Sequence, residues 1–521
     1  MLAQYSGRKA RQVPLIYVLV AATIVTVPFL FLQWSTAEYL PICRTKVQIS
    51  EGTSSTSQIS TLPTAPTLTP IFVSSLELPS EYSLSPDQEM CERMYGRGYF
   101  AHIEKHQHPY CERSSSSFLQ CFSAPRLPLP WMSQWSSVTG DPFCIAQGVY
   151  FNNTGGNKQH FKAHCNTRPD TVEFAEYWGG SGVGGEFKAH WDLKTETPGC
   201  NKDQNNGEWL FVIKREESTN IWHNIMGLWQ AMLTLDGMQA IRNPATGRPW
   251  MSKEDVASMR IVFDDDIPPQ DLDDWWKILN GKAPVKVKDL EKGACYGNVL
   301  LPLPGSSSPF WAALVETVYH EPCQSSILID VFRRRVFQHL GIKPRPLNIL
   351  PEENLKITFV NRTRTRKLWN ADALMEKVRT RYPKSRVNVT DFETLPLRDQ
   401  VVLAAESDVF IGHYGAGLVH LLFLPPGAAT VEITSSRSRK FRTITNMRGI
   451  VRFEADCLEE PEYKHIVEGT PIPPGWHSGM DDANWQKREY AYMVEDDFLG
   501  WVDAAVRSQR NRRYTAVPEF Y

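Results

Sequence analysis

The sequence has no excess of charge of either sign, because 56 Lys and Arg stand against 58 Asp and Glu among 521 residues. The resulting net charge of −2 argues against nucleic acid or an anionic membrane surface as the main partner. No C-x-x-C pair and no His-rich spacing is present, so the sequence suggests no zinc site. The sequence also contains no internal repeat. Its apolar content of 42% is typical of a globular protein, and its length indicates two or three domains.

The first 34 residues determine the expected compartment. Arg8, Lys9 and Arg11 precede an uncharged apolar run over 13–34. A helix of this length rises about 33 Å, enough to cross a hydrocarbon core of about 30 Å. The basic flank predicts a cytoplasmic tail over 1–12, a single-pass type II anchor over 13–34 and a luminal remainder. A cleaved signal peptide is the alternative interpretation.

Two segments of unusual composition follow the apolar run. Residues 35–90 are predicted to form a stem, since 50–86 contain ten Ser, six Thr and five Pro among 37 positions. Residues 91–204 hold six of the ten cysteines, and all ten lie beyond the apolar run. Disulfides are expected there, with the pairing left open. The expected location is the Golgi or endoplasmic reticulum membrane, although many ectoenzymes share this layout.

The remaining sequence alternates between strand and helix patterns. Strands are predicted at 209–213 and 259–263, and helices at 220–236 and 325–339. The clearest alternation of strands and helices runs from 356 to 433. The strands are predicted at 356–361, 386–389, 409–412 and 430–433, and the helices at 368–382, 397–406 and 418–423. Such alternation predicts an α/β fold with a parallel sheet that binds ligands at the carboxyl ends of its strands.

Two features lie at that predicted sheet edge. Gly412–Gly417 is a glycine-rich turn between a strand and a helix, and Arg362 follows another strand end, with Arg364 and Arg366 after it. Glycines let a phosphate approach the backbone, and arginine binds phosphate through parallel hydrogen bonds. Together they indicate an anionic ligand such as a nucleotide diphosphate. The alternative is that the glycine-rich segment is a tight turn that binds no ligand and that the arginines belong to a solvated basic loop.

The stretch 411–433 resembles the signature of glycosyltransferase family 61. Its sequence IGHYGAGLVHLLFLPPG, followed by VEI, is similar to the family pattern G-x-H-G-A-G-L-T-H, F-x-P-P-G and an E-I strand. The arginine-rich strand end over 360–370 and the N-x-x-H helix start over 220–223 also match the family. Residues 295–304 resemble its fungal branch, near the EGF-domain-specific O-GlcNAc transferases. The similarity covers about 205–505.

The resemblance implies a fold and a reaction. The expected fold is GT-B-like, with an acceptor-side Rossmann-type lobe at 205–345 and a nucleotide-sugar-binding lobe at 346–521, preceded by a disulfide-containing subdomain. The expected reaction is inverting transfer of GlcNAc or xylose from a UDP-sugar to a hydroxyl of a glycoprotein or glycan. No metal or other cofactor is expected.

The resemblance also implies the residues of the site. The diphosphate would lie against Gly415–Gly417, and Arg362 and Arg366 would neutralise the departing UDP. Asn220 and His223 would line the cleft from the other lobe. With Gly415, Ala416 and Gly417, the further positions expected to bind the donor are Asn370, His413, Tyr414, His420 and Glu432.

The sequence departs from the family pattern at two positions. Tyr414 stands where the family has a histidine before G-A-G, and Gly227 stands where an acidic residue is common. Inversion needs a general base, so His223, or Asp264 or Asp266 from an acidic strand end, would have to serve.

Two alternatives of different kinds stay open at this point. The Asp264–Asp266 strand end could hold Mn²⁺ under a nucleotide diphosphate in a metal-dependent GT-A transferase. A catalytically inactive ectodomain that binds a nucleotide or a carbohydrate is the second alternative.

Overall fold

A computed structural model describes most of the chain beyond residue 75. The described residues are 76–82, 89–112, 114–126, 140–152, 159–169, 174, 176–194, 200, 207–312, 323–345, 354–434, 440–457 and 490–511. The predicted tail and membrane anchor lie outside these residues. Within them, no helix combines the length and apolar character needed to span a bilayer.

Sixteen strands and eleven α-helices are found in the described residues. The strands are β1 Gln107–Pro109, β2 Phe118–Ala124, β3 Asp141–Phe151, β4 Phe161–Ala163, β5 Trp191–Leu193, β6 Trp209–Ile213, β7 Arg260–Phe263, β8 Val285–Lys286, β9 Cys295–Leu301, β10 Lys356–Val360, β11 Lys367–Leu368, β12 Arg386–Thr390, β13 Val409–His413, β14 Ala429–Thr434, β15 Val451–Asp456 and β16 Tyr490–Ala491. The α-helices are α1 Glu89–Tyr95, α2 Gly98–Lys105, α3 Gly182–Ala189, α4 Ile221–Ala240, α5 Lys253–Ser258, α6 Pro309–Ala312, α7 Ile327–Leu340, α8 Ala371–Arg381, α9 Leu397–Glu406, α10 Lys440–Met447 and α11 Glu495–Arg510.

Strands β10 and β12–β15 form a parallel sheet, called here the C-terminal sheet, in the order β12-β10-β13-β14-β15. In chain order this is 2-1-3-4-5, a doubly wound arrangement. Apolar residues of α8 and α11 pack on one face, whereas α9, α10 and the 3₁₀ helix Ala416–Phe423 pack in the core on the other. The predicted parallel sheet is therefore confirmed.

Two helix predictions differ from the structure in detail. The segment predicted as a helix from residue 418 is the 3₁₀ helix Ala416–Phe423. The helix predicted from residue 368 begins at Ala371, because Lys367–Leu368 instead pair in parallel with β16, about 120 residues later in the chain. That pairing partner is too distant in sequence for a local pattern to reveal.

A second, nine-stranded sheet, the N-terminal sheet, contains β1–β9. Strands β9, β6, β7 and β8 lie side by side in parallel, and β3 joins them antiparallel to β9. The strands of the cysteine-rich region, β1–β5, therefore belong to the same sheet as the strands after residue 205. The domain boundaries expected from composition stay predictions.

Four disulfides cross-link the described residues, and they answer the pairing question that the sequence left open. Two are confined to the cysteine-rich region, and two join that region to the rest of the chain. The bonds are Cys91–Cys323, Cys111–Cys165, Cys121–Cys144 and Cys200–Cys295.

Removing the Cys91–Cys323 disulfide with a paired Cys→Ala variant should lower the free energy of unfolding by about 2–5 kcal/mol. This bond closes a separation of 232 residues, against 23 for Cys121–Cys144. The chain-entropy model then predicts that its removal costs about 2 kcal/mol more than removal of the shorter link. Denaturant titration of both paired variants measures the difference, and equal losses would contradict the entropic explanation.

Candidate functional site

The order of the C-terminal sheet creates a crevice between β10 and β13. These strands are adjacent in the sheet, but the helices that follow them pack on opposite faces. Ligands of doubly wound sheets bind at such a switch point, outside the carboxyl ends of the strands. Arg362 lies two residues beyond β10, and Gly415 lies two residues beyond β13. The two features that the sequence singled out therefore meet at the switch point.

The guanidinium groups of two arginines lie against the glycine turn. A Cβ atom at Gly415 would lie 3.1 Å from Nη2 of Arg366 and 3.2 Å from Nη1 of Arg362. Arg366 Nη1 donates to the carbonyl oxygen of Tyr414 at 2.7 Å. Arg362 donates to the carbonyl and hydroxyl oxygens of Thr365 at 2.8 and 3.0 Å. Any larger residue at position 415 would press on these cations.

The electrostatics of this pair favour an anion. Burial, the larger cause, and the adjacent Arg362 charge together lower the pKa of the Arg366 guanidinium to about 9. Burial also lowers the pKa of Arg362, and no carboxylate of the described residues lies within 4.0 Å of its guanidinium. Arg366 has a left-handed backbone (φ 56°), a strained conformation that favours glycine. A diphosphate would relieve the repulsion between these two buried cations.

Two further residues of the glycine turn have neighbours that explain their burial. The Tyr414 ring packs against Phe441 at 5.3 Å between centroids. His413 Nδ1 lies 3.2 Å from the Tyr414 carbonyl oxygen, and its Nε2 lies 3.6 Å from the Cys457 sulfur. Burial and the charge of Arg366 lower the pKa of His413 to about 3, so its imidazole is neutral.

Of the other three predicted donor-side residues, His420 and Glu432 make side-chain contacts within the fold, and Asn370 lies at a helix start. His420 is fully buried, with Nδ1 2.8 Å from the Gly417 carbonyl oxygen. Glu432 accepts a hydrogen bond from Arg452 Nε at 2.7 Å. Asn370 has a left-handed backbone (φ 55°) and lies at the N-cap of α8. His420 thus contacts the backbone of the glycine turn, whereas contact of these three residues with a donor stays a prediction.

Acidification should destabilise the protein through His420. Burial lowers its pKa to about 4, from an ordinary value of about 6.5. Between these values the unfolded chain binds a proton that the folded chain does not, so stability falls as the pH falls, by up to about 1.4 kcal/mol per pH unit. His420→Phe, which preserves packing against Phe392, should flatten the pH dependence of the unfolding free energy. An unchanged slope, matching that of the exposed-site control His339→Ala, would contradict this assignment.

The N-terminal sheet places His223 at the carboxyl end of β6. Helix α4 begins after Asn220, whose Oδ1 accepts a hydrogen bond from the Trp222 amide at 3.0 Å. This N-cap fixes the first turn of the helix, where His223 lies. The His223 side chain is only 6% exposed, and it lines a cleft with an empty volume of about 490 Å³.

A carboxylate that the sequence reasoning missed orients this histidine. Glu216 Oε2 lies 2.9 Å from His223 Nδ1. Its other oxygen accepts hydrogen bonds from the amide and hydroxyl of Ser306, both at 2.7 Å, and from the Ser181 hydroxyl at 3.1 Å. With Nδ1 bound to Glu216, Nε2 is the nitrogen left for proton transfer. Its position just after a buried strand, at the same sheet edge as His223, was the available signal for Glu216.

Gly227, where the resemblance leads one to expect an acid, also lines the cleft. Among the described residues, a Cβ atom there would contact the Trp276 ring alone, at 3.8 Å, so the position has space for a side chain. The carboxylate that accompanies His223 in this chain therefore comes from Glu216, ahead of the helix, and not from the next helical turn.

Two tryptophans flank His223 at the cleft. The His223 ring lies 4.5 Å from the Trp311 ring and 5.4 Å from the Trp178 ring. Trp178 is 53% exposed, which is unusual for so large an apolar side chain. It belongs to the segment 178–182, in the cysteine-rich region that carried no family resemblance. This segment also supplies the hydroxyl of Ser181 that binds Glu216.

Aromatic contacts connect the His223 side of the site to the glycine turn. The Trp222 ring lies 5.6 Å from the Phe441 ring, which in turn packs on Tyr414. Helix α4 also contacts the 3₁₀ helix that follows the glycine turn. The first turn of α4 and the glycine turn are therefore packed against one shared aromatic residue.

The acidic strand end after β7 is already engaged in ion pairs. Asp264 is buried, with Oδ2 2.9 Å from His160 Nε2 and 2.6 Å from His190 Nδ1. Asp265 accepts two hydrogen bonds from the Arg215 guanidinium, at 3.0 and 2.7 Å. Asp266 alone of the three is exposed. This arrangement disfavours a Mn²⁺–diphosphate site at the triplet, and it favours His223 over Asp264 as the base.

Comparison with known proteins identifies part of this architecture. The family model described as Glycosyltransferase 61 matches residues 285–431, which include β10, β12, β13 and the glycine turn. The EGF domain-specific O-linked N-acetylglucosamine transferase of Drosophila melanogaster is 27% identical over 231 residues, 43% of this chain and 42% of the relative. Its counterpart in Xenopus laevis is 33% identical over 132 residues, 25% of this chain and 24% of the relative. The counterpart in Rattus norvegicus is 28% identical over 179 residues, 33% of this chain and 32% of the relative. The similarity thus spans less than half the length of each relative.

Proposed function

We propose that this chain, which belongs to glycosyltransferase family 61, transfers a sugar with inversion from a UDP-sugar to a hydroxyl of a glycoprotein or glycan. The observation that carries the proposal is the pair of buried guanidinium groups, Arg362 and Arg366, against Gly415 at the switch point. The relatives are named as N-acetylglucosamine transferases, which favours UDP-GlcNAc over UDP-xylose as the donor.

A GT-B-like arrangement of two Rossmann-type lobes is part of this proposal. The doubly wound order of the C-terminal sheet supports the nucleotide-sugar-binding lobe. The four parallel strands β9, β6, β7 and β8, with His223 beyond the carboxyl end of β6, support an acceptor-side lobe. The glycine turn and His223 would then approach the donor from different lobes.

His223 is proposed to be the general base. Glu216 holds the Nδ1–H tautomer, so that Nε2 accepts the proton of the acceptor hydroxyl as its oxygen attacks the anomeric carbon. The bond between that carbon and the phosphate oxygen breaks, and UDP leaves with the bonding electrons. Arg362 and Arg366 stabilise the charge that develops on the diphosphate, so this reaction needs no metal ion.

The cellular setting is also proposed from supporting features. The apolar run over 13–34, with basic residues before it, supports a type II anchor in the Golgi or endoplasmic reticulum membrane. The four disulfides are those of a protein folded in an oxidising compartment. The acceptor would then be a glycoprotein or glycan in the secretory pathway.

Thermal unfolding of the full-length protein with UDP, GDP and CMP, each with and without EDTA, tests the donor site. UDP at about 100 times its Kd should raise the free energy of unfolding by about 2.7 kcal/mol, equally with EDTA. Arg362→Gln should abolish this gain. A gain that requires Mn²⁺ would move the diphosphate to Asp264–Asp266, and no response to any of the three nucleotides would contradict a nucleotide-dependent transferase.

Turnover distinguishes an enzyme from an inactive binding protein. The full-length protein should release UDP from UDP-GlcNAc or UDP-xylose, and faster when acceptor glycoprotein is added. Binding of UDP without turnover of either donor would instead support the inactive ectodomain. In that case Gly227→Glu, which places an acid one helical turn from His223, is the variant that should restore activity.

A further inference from the structure

We propose that His160, His190, Asp264 and Glu186 form a zinc-binding site beside the cleft. The sequence suggests no such site, because the four residues are spread over more than 100 positions without a recognisable spacing. The fold brings them together. This site is separate from the arginine pair that is proposed to hold the donor diphosphate.

Sheet pairing brings the two histidines to one place. His160 immediately precedes β4 and His190 immediately precedes β5, and these short strands pair in parallel with Phe161 opposite Trp191. The two imidazole rings are 5.1 Å apart between centroids. Asp264 follows β7, and its Oδ2 lies within 3 Å of a nitrogen from each ring. One nitrogen from each histidine and one carboxylate oxygen thus lie within 4.8 Å of one another.

Glu186 supplies a fourth ligand and a second indication that this site binds a cation. It lies one helical turn before His190, with Oε2 3.5 Å from His190 Nδ1. The side chain is 3% exposed, and apart from this ion pair with His190 neither carboxylate oxygen accepts a hydrogen bond from the described residues. A buried carboxylate without hydrogen bonds is costly unless a cation neutralises it. Together with Asp264, it gives the cluster two acidic groups for one divalent ion.

The ligand set is suited to zinc. Two imidazole nitrogens and two carboxylate oxygens are ligands that Zn²⁺ takes in tetrahedral sites, at about 2.0–2.2 Å from the metal. Such ligand atoms lie about 3.3 Å from one another. The two distances to Asp264 Oδ2 are 2.9 and 2.6 Å, so binding requires outward movements of about half an ångström. With all four positions taken by protein, the site would be structural and would not activate water.

The metal would stabilise the part of the fold that holds Glu216. Glu186 and His190 lie on and just after helix α3, which starts directly after Ser181. Ser181 donates a hydrogen bond to Glu216, the carboxylate that orients His223. A zinc ion joining α3 to the carboxyl end of β7 would therefore fix a segment of the cysteine-rich region against the cleft. This consequence for catalysis depends on the proposed function, but metal binding itself does not.

Metal content and thermal stability of the full-length protein test the site. The protein should contain about one zinc per chain by elemental analysis. A strong chelator should lower its Tm by about 5 °C or more, and added Zn²⁺, but not Mg²⁺, should restore it. Asp264→Asn and His190→Ala should lose the zinc, whereas His339→Ala, which alters an exposed histidine on α7, should keep it.

Replacing the zinc of the wild-type protein with Co²⁺ tests the site without variants, so the result does not depend on whether a variant folds. A tetrahedral site with two imidazoles should give an intense visible absorption that Zn²⁺ abolishes by displacement. Wild-type protein that contains no zinc, gains no stability from Zn²⁺ and gives no Co²⁺ spectrum would overturn the proposal. The Asp264–His cluster would then be an ion-pair network. UDP should still stabilise the zinc-depleted protein against unfolding. This measurement tests the donor site separately from the zinc site.

Discussion

His223→Ala should lower the kcat for sugar transfer by about 10²–10⁴-fold, the usual contribution of a general base. The acceptor hydroxyl would then lose its proton acceptor, while the donor site at Arg362 and Arg366 stays intact. The KM for the UDP-sugar should therefore change little. Steady-state kinetics with varied donor and saturating acceptor separates the two parameters, and the UDP-induced stabilisation should equal that of the wild type.

Glu216→Gln tests how this base is oriented. The amide keeps the shape of the side chain but loses its charge, and with it charge-assisted hydrogen bonds worth about 1.5–3 kcal/mol each. The kcat should fall by about 10–100-fold. Glu217→Gln is the matched control, because this neighbouring carboxylate binds the Trp178 indole at 2.9 Å and makes no hydrogen bond to His223. Full activity of His223→Ala would place the base elsewhere, with the exposed Asp266 next to be tested.

Arg362→Gln and Arg366→Gln should each weaken UDP-sugar binding by about 10–100-fold. Each change removes charge-assisted bonds to the diphosphate, worth about 1.5–3 kcal/mol each. Each change also removes one of two buried cations that repel each other. The protein without nucleotide should therefore lose no stability through a broken ion pair at Arg362. Calorimetric titration with UDP measures the affinity, and thermal unfolding without ligand measures the stability.

Arg364→Gln is the matched control for the arginine pair. Its side chain is 81% exposed and pairs with Glu393, although it lies between the two buried arginines in sequence. Its loss should leave UDP affinity close to the wild-type value, because exposed ion pairs contribute little. If Arg364→Gln weakened UDP binding as much as Arg362→Gln, general positive charge, and not a built diphosphate site, would explain the affinity.

The site illustrates which features a local pattern can predict. The glycine turn and Arg362 were recognisable because each follows a strand end, and parallel strands align their carboxyl ends at one edge. Glu216 also follows a strand end, that of β6, yet its role depends on contacts with Ser181 and Ser306, 35 and 90 residues away. Tertiary contacts at such separations leave no periodic signal in the sequence.

The acidic triplet after β7 shows how tertiary context changes an interpretation. Three consecutive aspartates are typical of a metal–diphosphate site when they are read in isolation. The structure distributes them among different partners: Asp264 reaches two histidines, and Asp265 binds Arg215 and Lys286. The proposed metal at this strand end is accordingly a zinc held partly by residues of the cysteine-rich region.

By itself, the sequence determined the alternation of strands and helices over 356–433, the position of Arg362 and the glycine turn just after strand ends, and the placement of cysteines beyond the apolar run. These features depend on side-chain periodicity and on residue types at strand ends, which are local properties of the chain. Only the tertiary structure decided the disulfide pairing, the Glu216–His223 contact and the meeting of His160 and His190 with Asp264. Those contacts join segments that are distant in the sequence. Sheet register and helix packing bring these segments together, and no pattern within either segment predicts the contact.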